Sequence, residues 1–259
     1  MKYFALLILL FFYSCSTTSK YEKVKERDRI KKIDDFFKKI DERRKQIKSI
    51  QLEAKADSFN KGKRVRGKLM LSLKRPDKLR IDTLSPFEQP VSTMLVKNNE
   101  LYFYNFEENR LYHGKASEKN LSLFLPVRMN LESFIDMVSG IFPLIAYKKH
   151  KFGYLEDTGE YELVLENDEI KEIVKYRAKD LQITKVEIFV NNIKKISVKF
   201  SLFKKSDSIT YAKKIYFLDL EAESKLKLII TDINYNGGTD DDIYNPISGN
   251  YKIRELDDF

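Results

Sequence analysis

Cys15 is the single cysteine of a 259-residue chain, and it stands directly after an apolar run from Phe4 to Tyr13, with Lys2 ahead of that run and Ser14 behind it. With no second cysteine, an internal disulfide is excluded and the sulfur needs another use. At ~1.5 Å per residue the run is too short for a ~30 Å bilayer core. A positive residue, a short apolar stretch and a small residue, in that order, form a secretory signal. Other chemistry-bearing residues are sparse. His113 and His150 are the only histidines, and no His/Cys cluster has metal-ligand spacing. There is no G-x-S-x-G, no H-E-x-x-H and no glycine-rich phosphate loop. Asp240, Asp241 and Asp242 have the charge for a cation but read as a solvated acidic loop. Asp and Glu are abundant, yet nothing singles out a hydrolytic carboxylate pair. The sequence therefore predicts a non-enzyme with no catalytic residue, no metal and no cofactor.

The Ser14-Cys15 junction resembles the lipobox of bacterial lipoproteins. That resemblance implies a signal peptide over 1–14, a Cys15 that is diacylated on sulfur and becomes the mature N-terminus, and a short spacer over 15–19. An ordinary cleaved signal that happens to carry a cysteine is the other reading of the same residues.

Without 1–14 the chain keeps 245 residues, enough for one large β domain or two small ones. Trp is absent while Phe numbers 18 and Tyr 15, so a sizeable core is expected. No later segment is apolar and long enough to span a membrane, which leaves attachment to the lipid. The formal charge is +9, and residues 20–48 hold thirteen Lys/Arg against seven Asp/Glu, a net of +6. In an exported protein such a segment meets anionic lipid headgroups rather than nucleic acid; a solvated helix of mixed charge pairs fits it as well. Ile30, Ile33, Phe36, Phe37, Ile40 and Ile47 recur at helical spacing, so 20–48 is expected as a basic amphipathic helix packing a narrow stripe on the domain.

After Lys48 the period becomes two: Ile50, Leu52, Ala54, Ala56; Leu69, Leu71, Leu73; Leu79, Ile81. Strands continue to about 113, with a turn at Lys97-Asn98-Asn99-Glu100. Asn130 is placed to cap a helix running to Ser139 and ended by Gly140, with Leu131, Phe134, Ile135 and Val138 as its stripe. Strands resume near 147 and run to 233, Asn191-Asn192 making another hairpin turn; 234–259 reads as a polar tail. The expected fold is mainly β with a helical lid: about eleven antiparallel strands over 49–233 forming one unclosed barrel, plus the N-terminal helix.

The stretch from Arg66 to Leu144 goes further. A strand, Arg75-Pro76-Asp77-Lys78-Leu79-Arg80, a Pro86-Phe87 loop, LVKNNELYFYNFEENRLYHG and a Leu-rich helical segment ending near Gly140 resemble the LolA/LolB-like family, periplasmic carriers and outer-membrane acceptors of bacterial lipoproteins. The resemblance implies an unclosed β-barrel whose helices lie as a lid over an apolar cavity. With Cys15 it implies the anchored, LolB-like role: a lipoprotein on the periplasmic face of the outer membrane, binding acyl chains of lipoproteins or lipids, receiving them from a periplasmic carrier partner and inserting them. Burying an acyl chain is worth ~0.8 kcal/mol per CH₂, so transfer runs on differential affinity. The inward set Leu69, Leu71, Leu73, Leu79, Ile81, Leu101, Phe103, Val198 and Phe200, with Phe134 and Val138 on the lid, is the candidate cavity lining; a closed core would use the same residues. Leu84 and Phe87 are the candidates for a loop that enters the membrane; a loop tucked on the barrel rim is the other placement. A lipid or partner-protein sensor, or an accessory subunit of an envelope assembly, is the competing function on this scaffold.

Overall fold

The computed structural model describes residues 24–60, 62–125, 130–141, 144–238 and 240–256. Cys15, the signal sequence and the spacer lie outside the described residues. Helix α1 (Ile33–Gln46) opens the domain, and strands β1 (Ser49–Asn60), β2 (Lys63–Lys74), β3 (Lys78–Leu84), β4 (Pro90–Lys97), β5 (Glu100–Asn105) and β6 (Arg110–Lys115) follow as a meander. Two short helices, α2 (Glu118–Leu121) and α3 (Leu131–Val138), then cross to a second meander. It comprises β7 (Lys149–Leu155), β8 (Glu160–Glu166), β9 (Ile170–Arg177), β10 (Ile183–Val190), β11 (Ile193–Ser206), β12 (Ile209–Asp219) and β13 (Ser224–Tyr235), with β14 (Lys252–Glu255) near the end of the chain.

All fourteen strands form one sheet in the order β14-β6-β5-β4-β3-β2-β1-β13-β12-β11-β10-β9-β8-β7. Pairing of β1 with β13 joins the two meanders, and β7 and β14 remain as edges, so the barrel is unclosed. Neighbours are antiparallel except β14, which lies parallel to β6. The hairpins turn where the sequence places consecutive asparagines: Asn98 and Asn99 adopt φ of 52° and 65°, Asn191 and Asn192 of 49° and 63°, the left-handed conformation that matches strand twist and that Asn tolerates.

The sheet curls around α1. Phe36 near the start of that helix meets Tyr161 of β8 edge to face at 6.3 Å, while the Ile47 carbonyl just past its end accepts from Arg75 after β2. Seven strand intervals separate β8 from β2, about 34 Å on a flat sheet, yet the helix rises only about 16 Å between those contacts. The inner, alternating apolar side chains of both meanders consequently join Phe36 and Ile40 of α1 and Phe134, Ile135, Met137 and Val138 of α3 in one core.

Three expectations are corrected. Among the described residues the strand count is fourteen, not about eleven; β14 escapes a periodicity reading because its four residues are exposed on both faces. The helix is shorter than 20–48. A 3₁₀ turn at Glu26–Asp28 precedes it, and residues up to Lys32 are held by tertiary contacts: Arg29 pairs with Glu156 and lies 4.0 Å over the Tyr154 ring, and Ile30 N–H donates to Tyr161 Oη at 2.8 Å. Residues 240–256 are no solvated tail. Their first part covers the outer face of β3 to β6, burying Tyr244 completely and seating Ile247 N–H on Tyr104 Oη at 2.9 Å, while Leu256 at their end is buried in the main core. This explains why Leu95 and Tyr104, which point away from the main core, are also fully buried.

Candidate functional site

Strand alternation places the nine strand candidates for the lining on the inner face, and α3 buries the other two, Phe134 and Val138, against the same core. Leu71, Leu73, Leu79, Ile81, Leu101, Phe134, Val138, Val198 and Phe200 are buried members of the single core, and Leu69 and Phe103 pack against it half-buried. Register makes a continuous apolar wall of them: Leu71 faces Ile81, Leu73 faces Leu79, Ile81 faces Met94, and Met94 faces Phe103. The two helical layers complete the wall. Phe124, after α2, stacks on Phe103 with centroids 4.0 Å apart, and Phe36 of α1 meets Tyr176 at 4.8 Å and Phe152 at 5.0 Å. The aromatic cluster under α1, Phe152, Tyr161 and Tyr176, is missing from the sequence-derived set, although the period-two pattern of β8 and β9 marks Tyr161 and Tyr176 as inward.

The helices are held to the sheet by polar contacts at few points. Asp136 of α3 is 1% exposed; its Oδ2 accepts from Arg44 Nη2 of α1 at 3.0 Å and its Oδ1 from Arg75 Nη2 at 2.7 Å. Arg75 also donates to Ser139 Oγ at 3.2 Å and, through Nε, to the Ile47 carbonyl at 3.1 Å. One carboxylate therefore ties α1, α3 and the end of β2. Asn130 Oδ1 caps α3 by accepting from Ser133 N–H at 2.8 Å, and Gly140 ends it at φ 71°. On the other flank Arg43 donates to Gln182 Oε1 at 2.8 Å and the Thr210 carbonyl at 3.1 Å.

A second buried carboxylate has no cation. Glu172, inward on β9 and wholly unexposed, accepts at Oε2 from Ile145 N–H at 3.0 Å, and among the described residues Oε1 has no partner. Burial, only partly offset by that backbone donor, pushes its carboxyl up to about 7. Nearby Tyr176, also inward and with no hydroxyl partner among the described residues, is pushed up by burial in turn.

The two loop candidates separate. Leu84 is the last residue of β3, half-buried and opposite Lys68. Phe87 sits at the loop tip and is 86% exposed. The tip is ordered by its own bonds: Ser85 Oγ accepts from Phe87 N–H at 3.3 Å and from Gln89 N–H at 3.2 Å, and Ser85 N–H reaches the Gln89 carbonyl at 2.8 Å. Gly67 of β2 lets the end of β3 approach, since a Cβ there would lie 2.4 Å from the Leu84 carbonyl oxygen.

The polar residues weighed for chemistry have structural partners. His113 lies between Glu100 (Nε2 to Oε2, 3.0 Å) and Glu255 (Nδ1 to Oε2, 3.2 Å) and stacks on Tyr102, linking β5, β6 and β14. His150 packs edge-on to Tyr147. Asp241 binds Lys74 at 2.6 Å and Lys78 at 2.8 Å, which hold its carboxyl at about 2, so this one member of the acidic triplet fastens the C-terminal segment to the sheet. Among the described residues no group of three or more His, Cys, Asp or Glu is placed to hold a metal ion, and no helix is long and apolar enough to cross a membrane.

An open sheet of two meanders, its apolar face covered by helices, has solved counterparts. A DUF1329 family protein from Desulfovibrio piger aligns with a TM-score of 0.60 and 13% identity over 82% of this chain and 97% of its own. A LolA superfamily protein from Nitrosomonas europaea aligns with a TM-score of 0.54 and 14% identity over 82% and 97%. The fold is LolA-like. A protein described as an outer membrane lipoprotein-sorting protein domain, from Vibrio parahaemolyticus, aligns with a TM-score of 0.55 and 14% identity over 80% and 95%. No protein-family model and no curated protein matches the sequence. At these identities the LolA-like likeness is one of architecture, carried by the sheet and its helical cover.

Proposed function

We propose that this chain is a non-enzymatic envelope lipoprotein that takes acyl chains of lipoproteins or lipids between the inner sheet face and its helical cover, and releases them at a membrane. The observation that carries the reading is the way the cover is fastened. α1 and α3 lie on a continuous apolar wall and are joined through one carboxylate, Asp136, shared by Arg44 and Arg75. A cover held by a local polar clasp over apolar side chains can lift as a unit, and an entering acyl chain replaces the side-chain contacts that are lost. Each buried CH₂ contributes ~0.8 kcal/mol, so a long chain offsets the opening of such a clasp. The LolA-like architecture supports this reading. The lipobox-like junction at Cys15 supports an anchored protein, placed by this proposal on the periplasmic face of the outer membrane and supplied by a soluble carrier. Phe87, exposed on an ordered loop, is the residue that enters the bilayer in this scheme; Leu84 supports the loop from the strand end.

The test is uptake of a fluorescent fatty acid and of a triacylated lipopeptide by the purified protein, compared with the Asp136→Ala variant. Saturable uptake by the parent, faster in the variant, is the expected result. Absence of uptake by both proteins refutes the proposal. Depletion in cells followed by envelope fractionation then separates an acceptor, whose loss misplaces other lipoproteins, from a sensor, whose loss does not.

A further inference from the structure

The outer face of the sheet bears cations that the fold does not use. Register sets Lys55 of β1 between Lys68 of β2 and Ile229 of β13, and Ile229 opposite Lys214 of β12. In the next outward row, Lys227 lies opposite Asp57 on one side and Tyr216 on the other, and Tyr216 opposite Lys199 of β11. Lys55, Lys199, Lys214 and Lys227 thus occupy four adjacent strands, about 14 Å across. Among the described residues none of the four has a carboxylate partner, whereas Lys68 is paired with Glu53 at 2.9 Å. Like charges on neighbouring strands oppose folding. Asp57, opposite Lys227, is taken up by Arg64 and Arg66, so the four lysines form a surface open to anions.

Two further features share this face. A hollow of about 700 Å³ opens between β1, β2 and β13 and the Ser85–Glu88 loop; Lys55, Lys227, Arg66 and Lys68 line it together with Glu53, Asp57 and Glu88, and Pro86 and Ile229 are its apolar patches. Beyond it, at the tip of the β1–β2 hairpin, outward Phe59 is 39% exposed with the Lys225 ammonium 5.9 Å from its ring centroid, and Val65, which register turns to the other side of the same tip, is 62% exposed. Cations backed by exposed aromatic and aliphatic side chains match an anionic lipid surface, which takes the charge at its headgroups and the apolar groups just beneath. A nucleic acid or polysaccharide would use the charge and leave the aliphatic tip in water.

We propose that the outer face of β1, β2 and β11 to β13 docks on an anionic bilayer, headgroup phosphates lying on the four lysines while the hairpin tip enters the interface. This surface is on the opposite side of the sheet from the acyl-chain wall and does not depend on it.

The experiment is co-sedimentation of the full chain, carrying Cys15→Ala to remove any acyl anchor, with vesicles of phosphatidylcholine alone or mixed with phosphatidylglycerol. The parent is compared with the quadruple variant Lys55→Ala, Lys199→Ala, Lys214→Ala, Lys227→Ala. Whatever residues 1–23 add is common to both proteins. A basic residue near an anionic surface is worth about fivefold in partition, so the variant is expected to bind the mixed vesicles at least ~100-fold more weakly, and the parent to lose most of its preference for them at high salt. Fatty-acid uptake should be equal in the two proteins, which shows that the variant is folded and keeps this test separate from the carrier reading. Equal partition of parent and variant on mixed vesicles overturns the proposal. So does parent binding to heparin or single-stranded DNA as tight as to the vesicles, which would assign the lysines to a soluble polyanion.

Discussion

Glu172 is a carboxylate the fold tolerates best when neutral, and replacing it with Gln should make the protein less sensitive to alkali. Its neighbours are uncharged: Leu165 on β8, Ile188 on β10, the Ile145 backbone above, and Tyr176 further along β9. Burial raises the carboxyl from 4.5 to about 7. Between those values the unfolded chain has released its proton and the folded chain still holds it, so stability falls as pH rises through this window. That rise corresponds to about 3 kcal/mol lost above pH ~7 and nothing lost below pH ~4.5, a large fraction of a typical ~5–15 kcal/mol total. Gln has the shape of the protonated acid and keeps an oxygen for Ile145 N–H, but cannot ionise. Urea unfolding on the acid and alkaline sides of the window should therefore give equal stabilities for parent and Glu172→Gln in acid, and a variant more stable by about 3 kcal/mol in alkali. Every other titrating group is common to the two proteins and cancels in the difference. Parallel pH profiles would show that Glu172 is solvated or finds a cation, and the reasoning from burial would fail.

Three further outcomes are expected. Asp136→Ala leaves Arg44 and Arg75 without their shared carboxylate and should cost ~3–5 kcal/mol in chemical denaturation, with new protease cleavage in α1 and α3; unchanged stability and protection would show that the clasp holds nothing. Gly67→Ala drives a methyl to 2.4 Å from the Leu84 carbonyl and should cost ~1–3 kcal/mol, read as a lowered Tm together with faster proteolysis of the Ser85–Gln89 loop; a parental Tm contradicts the close approach. Phe87→Glu, at a side chain 86% exposed, should change stability by no more than ~0.5 kcal/mol while lowering insertion into lipid monolayers, and retained insertion would remove Phe87 from the delivery step.

Sequence alone determined the alternation and the punctuation. Period two from Ile50 onward fixed which side chains of each strand share a face, because successive strand residues point to opposite sides whatever the strand packs on. Asn98-Asn99 and Asn191-Asn192 marked hairpins through a local conformational preference, and Asn130 and Gly140 bracketed α3 for the same kind of reason. These signals lie within a few residues of one another, and the eleven lining candidates follow from them. Only the tertiary structure decided what was long-range. It paired β1 with β13, brought the clasp of Arg44, Arg75 and Asp136 together across 92 and 61 residues of sequence, left Glu172 without a cation, laid Tyr244 on a face that alternation had assigned to water, and added β14 to the sheet edge beside β6. It also aligned Lys55, Lys199, Lys214 and Lys227, which are unremarkable one at a time. The physical reason is common to all of these: a charge or an aromatic ring carries no mark of its partner until strand register brings distant residues to within a few ångströms, and burial then sets the strength of their interaction.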